Sequence, residues 1–202
     1  MRHREPLILA VGGSHRRDAS TDKALRIAAL AAQRAGAEVE FIGGHELQLP
    51  IFGSVDVALI PAAQRFLSFY ERCDGLLLAS PGYHGSISGL LKNVLDYTDA
   101  LRGSGNAYLD GKAVGCIVCA HGWQATGTTL NAMRTIVHAL RGWPTPLGVG
   151  INTSSSFADD KGDCTDEGIL AQLEMVANQV VSFASMQIAL KRETRPLEAV
   201  PA

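Results

Sequence analysis

The stretch D74-G-L-L-L-A-S-P-G-Y-H-G-S-I-S-G-L-L-K-N-V-L-D-Y-T-D-A-L101 decides the fold. Residues 75–79 form a short apolar run bounded by turn formers, the pattern of a strand buried on both faces. Residues 80–88 then gather proline, glycine and serine around Tyr83 and His84. Beyond them Leu90, Leu91, Val94, Leu95 and Leu101 recur at helical spacing, with Lys92, Asn93, Asp96 and Asp99 mostly on the other side. A buried strand therefore opens into a small-residue loop that feeds an amphipathic helix. In an open parallel sheet such a loop lies at the carboxyl end of the strands, where ligands bind. Pro81 fixes the exit from the strand, and Gly82 and Gly85 let a planar ligand approach the backbone. Tyr83 and His84 are the flat side chains available to border it.

The same unit recurs along the chain. Residues 6–11 form a first strand, followed by G12-G-S-H-R-R-D-A-S-T-D22 and a helix running to Gly36. A Gly/Ser loop between a first strand and a first helix is a seat for phosphate, because backbone N–H groups and the positive helix end point at the anion. Ser14, Ser20 and Thr21 add hydroxyls, and Arg16 adds a charged planar fork. Helix capping by Ser20 and Asp18 is the competing explanation. Arg17 suits solvent, and a carboxylate at Asp22 has to turn away from any phosphate. Neither the dinucleotide G-x-G-x-x-G nor the Walker G-K-[ST] is present.

A second strand is expected over 38–42, then an irregular stretch over 44–59 that is a candidate lid. Pro61 begins a helix whose Phe66, Leu67, Phe69 and Tyr70 form an apolar core face. Residues 106–112 read as a turn and 113–120 as a fourth strand. Residues 121–128 read as a third ligand loop before a helix carrying Leu130, Met133, Ile136, Val137 and Leu140. A fifth strand over 146–151, a polar loop over 152–165 and a long helix over 166–191 follow. Residues 192–202 read as a tail, leaving a single domain over 1–191.

At 202 residues the chain can bury a substantial core. A net charge of -2 gives no footprint for nucleic acid. No apolar run is long enough to span a membrane, and the N-terminus lacks a signal-peptide pattern, so a cytoplasmic location is expected. Cys73, Cys116, Cys119 and Cys164 form no disulfide framework. Cys116 and Cys119, three apart on a strand, point to opposite faces, which rules against a metal or dithiol pair there. Asp159, Asp160 and Asp163 lack calcium-loop spacing. No metal site is expected.

P81-x-Y83-H84-x-S86-I87-S88-G89-x-L91-K92-N93-x-x-D96 resembles the second signature of the NAD(P)H-dependent FMN reductase family, P-E-Y-N-x-S-x-P-G-x-L-K-N-x-x-D. Gly82, His84 and Ser88 are its departures. Gly13, Ser14, Arg16 and Ser20 are similar to the family's phosphate loop G-S-x-R-x-x-S-x-N, with one inserted residue. The resemblance implies FMN as cofactor and NADPH or NADH as reductant. Ser14, Arg16, Ser20 and Thr21 would hold the phosphate, and Pro81, Gly82, Tyr83, His84, Gly85 and Ser86 would border the ring. His121 and Gly122 would lie near its pyrimidine edge, although only Gly122 and part of the glycine spacing of that third loop are kept. No acid–base residue is implied, since hydride transfer to a flavin needs none. The roles of His121 and Trp123 stay open among ring contact, nicotinamide contact and subunit packing.

The implied fold is α/β, a three-layer flavodoxin-like fold with a five-stranded parallel sheet of order 2-1-3-4-5 and helices on both faces. Its switch point between strands one and three sets the phosphate loop beside the ring loop. The implied activity is transfer of a hydride from NAD(P)H to FMN and on to an acceptor. That acceptor is free flavin for a flavin-dependent monooxygenase, or a quinone, azo compound or metal ion. A flavodoxin-type electron carrier without its own NAD(P)H site, and an FMN-sensing domain, are the alternatives. A homodimer or homotetramer is expected, with the helix over 90–101 as candidate contact.

Overall fold

A computed structural model describes residues 4–103 and 108–193. Its centre is a parallel sheet built from β1 (Leu7–Gly12), β2 (Glu38–Ile42), β3 (Gly75–Pro81) and β4 (Ala113–Ala120), with β5 (Trp143–Pro144) and β6 (Val149–Asn152) at one edge. The order is β2-β1-β3-β4-β5, and β6 also pairs with β4. β1, β3 and β4 are buried along their whole length, which is why they read as unbroken apolar runs rather than as alternation.

Helices cover both faces. The core under α2 (Pro61–Arg72), α3 (Gly89–Asp96) and α4 (Trp123–Ala139) takes Leu9, Leu76 and Leu78 from the sheet. The core under α1 (Ser20–Arg34) and α5 (Glu167–Glu193) takes Ile8, Ala10 and Leu77. Cys116 belongs to the first core and Cys119 to the second, the opposite-face placement expected of residues three apart on a strand. Phe66 and Tyr70 are fully buried in the first core, their ring centroids 5.5 Å apart. Among the described residues no helix is long and apolar enough to cross a membrane.

The structure departs from the sequence reading in several places. The fifth strand, expected over 146–151, starts later, as Val149–Asn152, and a two-residue strand that the sequence reading missed, Trp143–Pro144, precedes it. The two align with opposite ends of β4, Trp143 pairing with Ala113 and Val149 with Ile117. Between them Pro146 has no N–H to donate, the Thr145 hydroxyl donates to Leu147 O at 2.7 Å, and Leu147 N–H turns to the Gln179 side chain. The sheet is thus six-stranded by count, with its expected order kept.

The expected third ligand loop is far shorter than 121–128, because α4 begins at Trp123. The Thr126 hydroxyl donates back to Gly122 O at 2.8 Å and that of Thr128 to Gln124 O at 2.9 Å, so these residues sit inside a helix despite their low propensity. The helix over 90–101 is α only to Asp96 and continues as a 3-10 segment, Tyr97–Leu101. The expected turn over 106–112 lies outside the described residues at 106 and 107. The tail lies outside them from residue 194, while Arg192 and Glu193 still belong to α5.

Nor is the stretch over 44–59 a free lid. Asn93 accepts a hydrogen bond from Phe52 N–H and donates to Pro50 O, each at 2.9 Å. Tyr97 donates its hydroxyl to Pro50 O at 2.8 Å and meets the Phe52 ring edge-on.

Candidate functional site

Four chain segments converge at the carboxyl ends of β1, β3, β4 and β6. They enclose a cleft of about 300 Å³, lined by Ser14, Arg16, Ala19, Ser20 and Thr21 on one side. Pro81, Gly82, Tyr83, Cys119, Ala120, His121 and Thr153 line the other. The volume lies at the lower end of the range for small-molecule sites. Among the described residues no carboxylate lines it, and Arg16 brings a formal positive charge to it.

The loop after β1 turns on Ser14, whose buried Oγ accepts the Arg16 N–H at 3.3 Å. Helix α1 starts with Ala19 at its N-cap, and among the described residues no side chain caps it. Capping by Ser20 or Asp18, the competing explanation of this loop, is therefore not what the structure contains. The first-turn amides, which have no partner within a helix, stay available to an anion from the cleft. Asp22 is absent from the cleft wall: it packs inward against Gly12, where a Cβ would come within 2.9 Å of its Oδ1. Arg17 is exposed and lies off the wall.

The loop after β3 is a two-residue hairpin. Tyr83 and Ser86 exchange both backbone hydrogen bonds, at 3.0 and 3.1 Å. Between them His84 and Gly85 both take positive φ, 51° and 83°, as a type I′ turn requires. The hairpin is carried on two hydroxyls: Thr129 of α4 donates to Ser86 O at 3.3 Å, and Ser88 N–H is accepted by Ser80 Oγ at 2.9 Å. Tyr83 stands at the rim, 45% exposed.

Gly82 and Ser88, two departures from the resembled signature, each have a local cause. A Cβ on Gly82 would lie 2.8 Å from both the Ala120 Cβ and the Thr129 Oγ1, so a glutamate there would collide with β4 and α4. Ser88 Oγ accepts the Leu91 N–H at 3.1 Å and so caps α3, a task that proline could not perform.

Of the residues singled out from the sequence, the structure brings Ser14, Arg16, Ser20, Thr21, Pro81, Gly82, Tyr83 and His121 to one cleft. It does not put His84, Gly85, Ser86 or Gly122 on the wall. The first three are exposed on the hairpin tip. Gly122 N–H is engaged by Asn152 Oδ1 at 3.0 Å, and its φ of 101° suits glycine alone. Ala19, Cys119, Ala120 and Thr153 were missed. Thr153 N–H donates to Ala120 O at 2.9 Å, extending the β4–β6 ladder into the cleft. A signal for it was available, since the loop after any parallel strand of this sheet opens on the same edge. Cys119 is buried, and burial pushes its thiol up to about 12, against a hydrogen bond with Thr21 that lowers it, which leaves little thiolate near neutral pH. Among the described residues no group of three or more His, Cys, Asp or Glu could hold a metal ion.

The model of the NADPH-dependent FMN reductase family matches residues 6–155. An FMN-dependent NADPH-azoreductase of Staphylococcus aureus is 30% identical over 114 residues, covering 55% of this chain and 57% of the relative. Its counterpart in Staphylococcus haemolyticus is 31% identical over the same length. The chain thus spans little more than half the length of the curated relatives it matches. Among solved structures, an NADH:FMN oxidoreductase superposes with a TM-score of 0.69 at 19% identity, covering 95% of this chain and 92% of the other. The Paracoccus denitrificans flavoenzyme NAD(P)H:(acceptor) oxidoreductase FerB gives 0.69 at 22%, covering 90% and 98%. At these identities the structural likeness establishes the flavodoxin-like fold.

Proposed function

This chain belongs to the NADPH-dependent FMN reductase family, and from that premise we propose that its cleft binds FMN and that the protein carries reducing equivalents from NAD(P)H to a small-molecule acceptor. The observation that carries the proposal is the uncapped start of α1 sharing one cleft with Ser14, Arg16 and Ser20, and with Pro81 and Tyr83 opposite. The donor set fits the cofactor: amides, hydroxyls and a guanidinium suit a phosphate, and an aromatic rim suits a flat ring.

Each residue then has a task. Arg16, Ser20, Thr21 and the first-turn amides of α1 bind the phosphate end, while Ser14 holds the turn that presents them. Pro81 and Gly82 supply a backbone wall without side-chain obstruction, and Tyr83 covers the ring at the rim. The amino end of α4, beside His121, brings partial positive charge towards the ring side of the cleft. Flavin bound there would supply the two-electron chemistry, taking a hydride from reduced nicotinamide and passing electrons on. The side chains bind, orient and exclude water; none moves a proton.

Azo compounds are the acceptors to try first, since the curated relatives are named for azo reduction, with quinones and metal ions tried beside them. Supply of reduced flavin to a monooxygenase is the second. A homodimer or homotetramer would use the groove where Leu49 and Ile51 face Leu90 and Asn93 of α3, which light scattering on the purified protein would detect.

The deciding experiment mixes the protein with NADPH and FMN, with and without an azo dye, and follows the near-ultraviolet absorbance of the reduced nicotinamide. Consumption is expected. FMN binding without consumption, for NADPH and NADH alike, would make the protein an electron carrier instead.

A further inference from the structure

A carboxyl group occupies the place where an anion site tolerates negative charge least. Asp22 is the third residue of α1, inside the first turn whose Ser20 and Thr21 line the cleft. It is 0% exposed, and neither oxygen has a hydrogen-bond partner among the described residues. Asp22 is wedged beneath the phosphate loop rather than in the cleft. The point where a Gly12 Cβ would stand is 2.9 Å from both Asp22 Oδ1 and Gly44 N. A Cβ on Gly44 would in turn meet Ser14 N at 2.6 Å. The carboxyl group therefore lies behind the backbone that carries Ser14.

The charged groups around it do not bond to it. From α1, Arg26 is exposed and stacks 4.4 Å over the Phe41 ring. From the 3-10 turn Gly44–Glu46, His45 presents an Nδ1 that is itself buried and unpartnered, and Glu46 pairs with Arg65. Asp18, in the loop before α1, adds like charge. Burial raises the proton affinity of Asp22; Arg26 and His45 oppose this, and Asp18 and Glu46 reinforce it. An ionised carboxylate without a partner in such a place is costly, whereas its neutral acid is tolerated.

We propose that Asp22 takes up a proton when an anionic phosphate binds at the amino end of α1, so that FMN binding and protonation of this buried side chain are coupled. The proposal rests on the FMN reading above. An anion in the cleft further disfavours the carboxylate, and by reciprocity the carboxylate disfavours the anion. Affinity for FMN then falls as pH rises and Asp22 ionises. Riboflavin, which has the ring but no phosphate, escapes this coupling.

The test measures FMN dissociation constants by quenching of flavin fluorescence, from about pH 5 to about pH 9, for the native chain and for Asp22→Asn. The second ionisation of the phosphate in free FMN, at about pH 6, is common to both titrations and cancels in their ratio, so what remains is the coupling to Asp22. Relative to the variant, the native chain is expected to lose about tenfold in affinity across the range, the scale of one charge–charge coupling at the effective dielectric of a protein site. For riboflavin the ratio stays flat. Calorimetry of the native chain in two buffers of unlike ionisation enthalpy, above about pH 7 where FMN enters as the dianion, reads proton uptake directly and needs no variant. FMN binding with a flat ratio and no proton uptake overturns the proposal and leaves the FMN reading standing. No FMN binding by either protein overturns both.

Discussion

Ser88 Oγ donates a hydrogen bond to Gly13 O at 2.7 Å, joining positions 75 residues apart in the chain. Gly13 N–H in turn donates to Ala79 O at 2.7 Å. The turn after β1 and the turn after β3 are therefore fastened to each other, and the cleft lies where they meet. Ser88 is buried and caps α3 with the same oxygen. Ser88→Ala removes the cap and leaves Gly13 O without its donor. Each change costs about 1 kcal/mol or more, so urea unfolding should show a loss of about 2 kcal/mol. Flavin affinity should fall as well, since the two walls are no longer held in register.

Gly82→Ala tests the close approach of β3 to β4. The new methyl would meet the Ala120 Cβ and Thr129 Oγ1 at 2.8 Å, and overpacking of this kind costs about 1–3 kcal/mol. Gly85→Ala on the exposed hairpin tip meets no atom within 4 Å but sits at a φ of 83°. Its cost is backbone strain alone, about 1 kcal/mol. Thermal melts should rank Gly82→Ala as the more damaging.

Arg16→Ala separates the two ends of the ligand. The side chain is exposed and, among the described residues, no ion pair holds it, so stability should hardly change. Affinity for FMN should fall by about tenfold or more, the scale of one charge-assisted contact, while riboflavin binding stays the same. Equal losses for both ligands would place Arg16 beside the ring instead.

Thiol labelling should be selective. Burial pushes Cys73 up to about 11 and Cys116 and Cys119 up to about 12, so none offers a thiolate near neutral pH. Cys164 is only partly buried. Iodoacetamide on the folded protein should modify Cys164 alone, and all four after denaturation. Rapid labelling of Cys119, which lines the cleft, would contradict this account.

Stability should also carry the mark of Asp22. Burial holds its carboxyl above the ordinary 3.8 in the folded state, so the folded chain keeps that proton to higher pH than the unfolded chain does. The contribution is fully present below the unfolded value and is lost as pH rises through the folded one. The unfolding free energy of the native chain should therefore decline relative to Asp22→Asn as pH rises above the ordinary carboxylate range. Urea midpoints measured at several pH values for the two proteins check the sign.

Much of the fold was legible because burial on both faces leaves an unmistakable trace. β4, buried throughout, was expected over 113–120 and is Ala113–Ala120; the partly exposed edge strand β2 was also expected, over 38–42, and is Glu38–Ile42. α2 begins at Pro61 as expected, with proline at its first turn. Local composition failed where tertiary contacts override it. The Gly/Thr run after Trp123 reads as a loop, yet Thr126 and Thr129 are buried against the sheet and the hairpin. The fifth strand reads as starting at Pro146, yet Leu147 N–H turns to the Gln179 side chain and the strand begins only at Val149.

The sequence by itself determined which segments are strands, where their loops open, and that two loops far apart carry a phosphate-type and a ring-type set of side chains. Only the tertiary structure decided which residues reach the cleft. Hydrophobic periodicity records burial one residue at a time, so it could not say that His84, Gly85 and Ser86 would project from a hairpin tip. Nor could it say that Gly122 N–H would be taken by Asn152, or that Asp22 would turn inward behind Ser14. Those outcomes depend on backbone approaches between distant segments, as at Gly12, Gly44 and Gly82, where there is no room for a side chain.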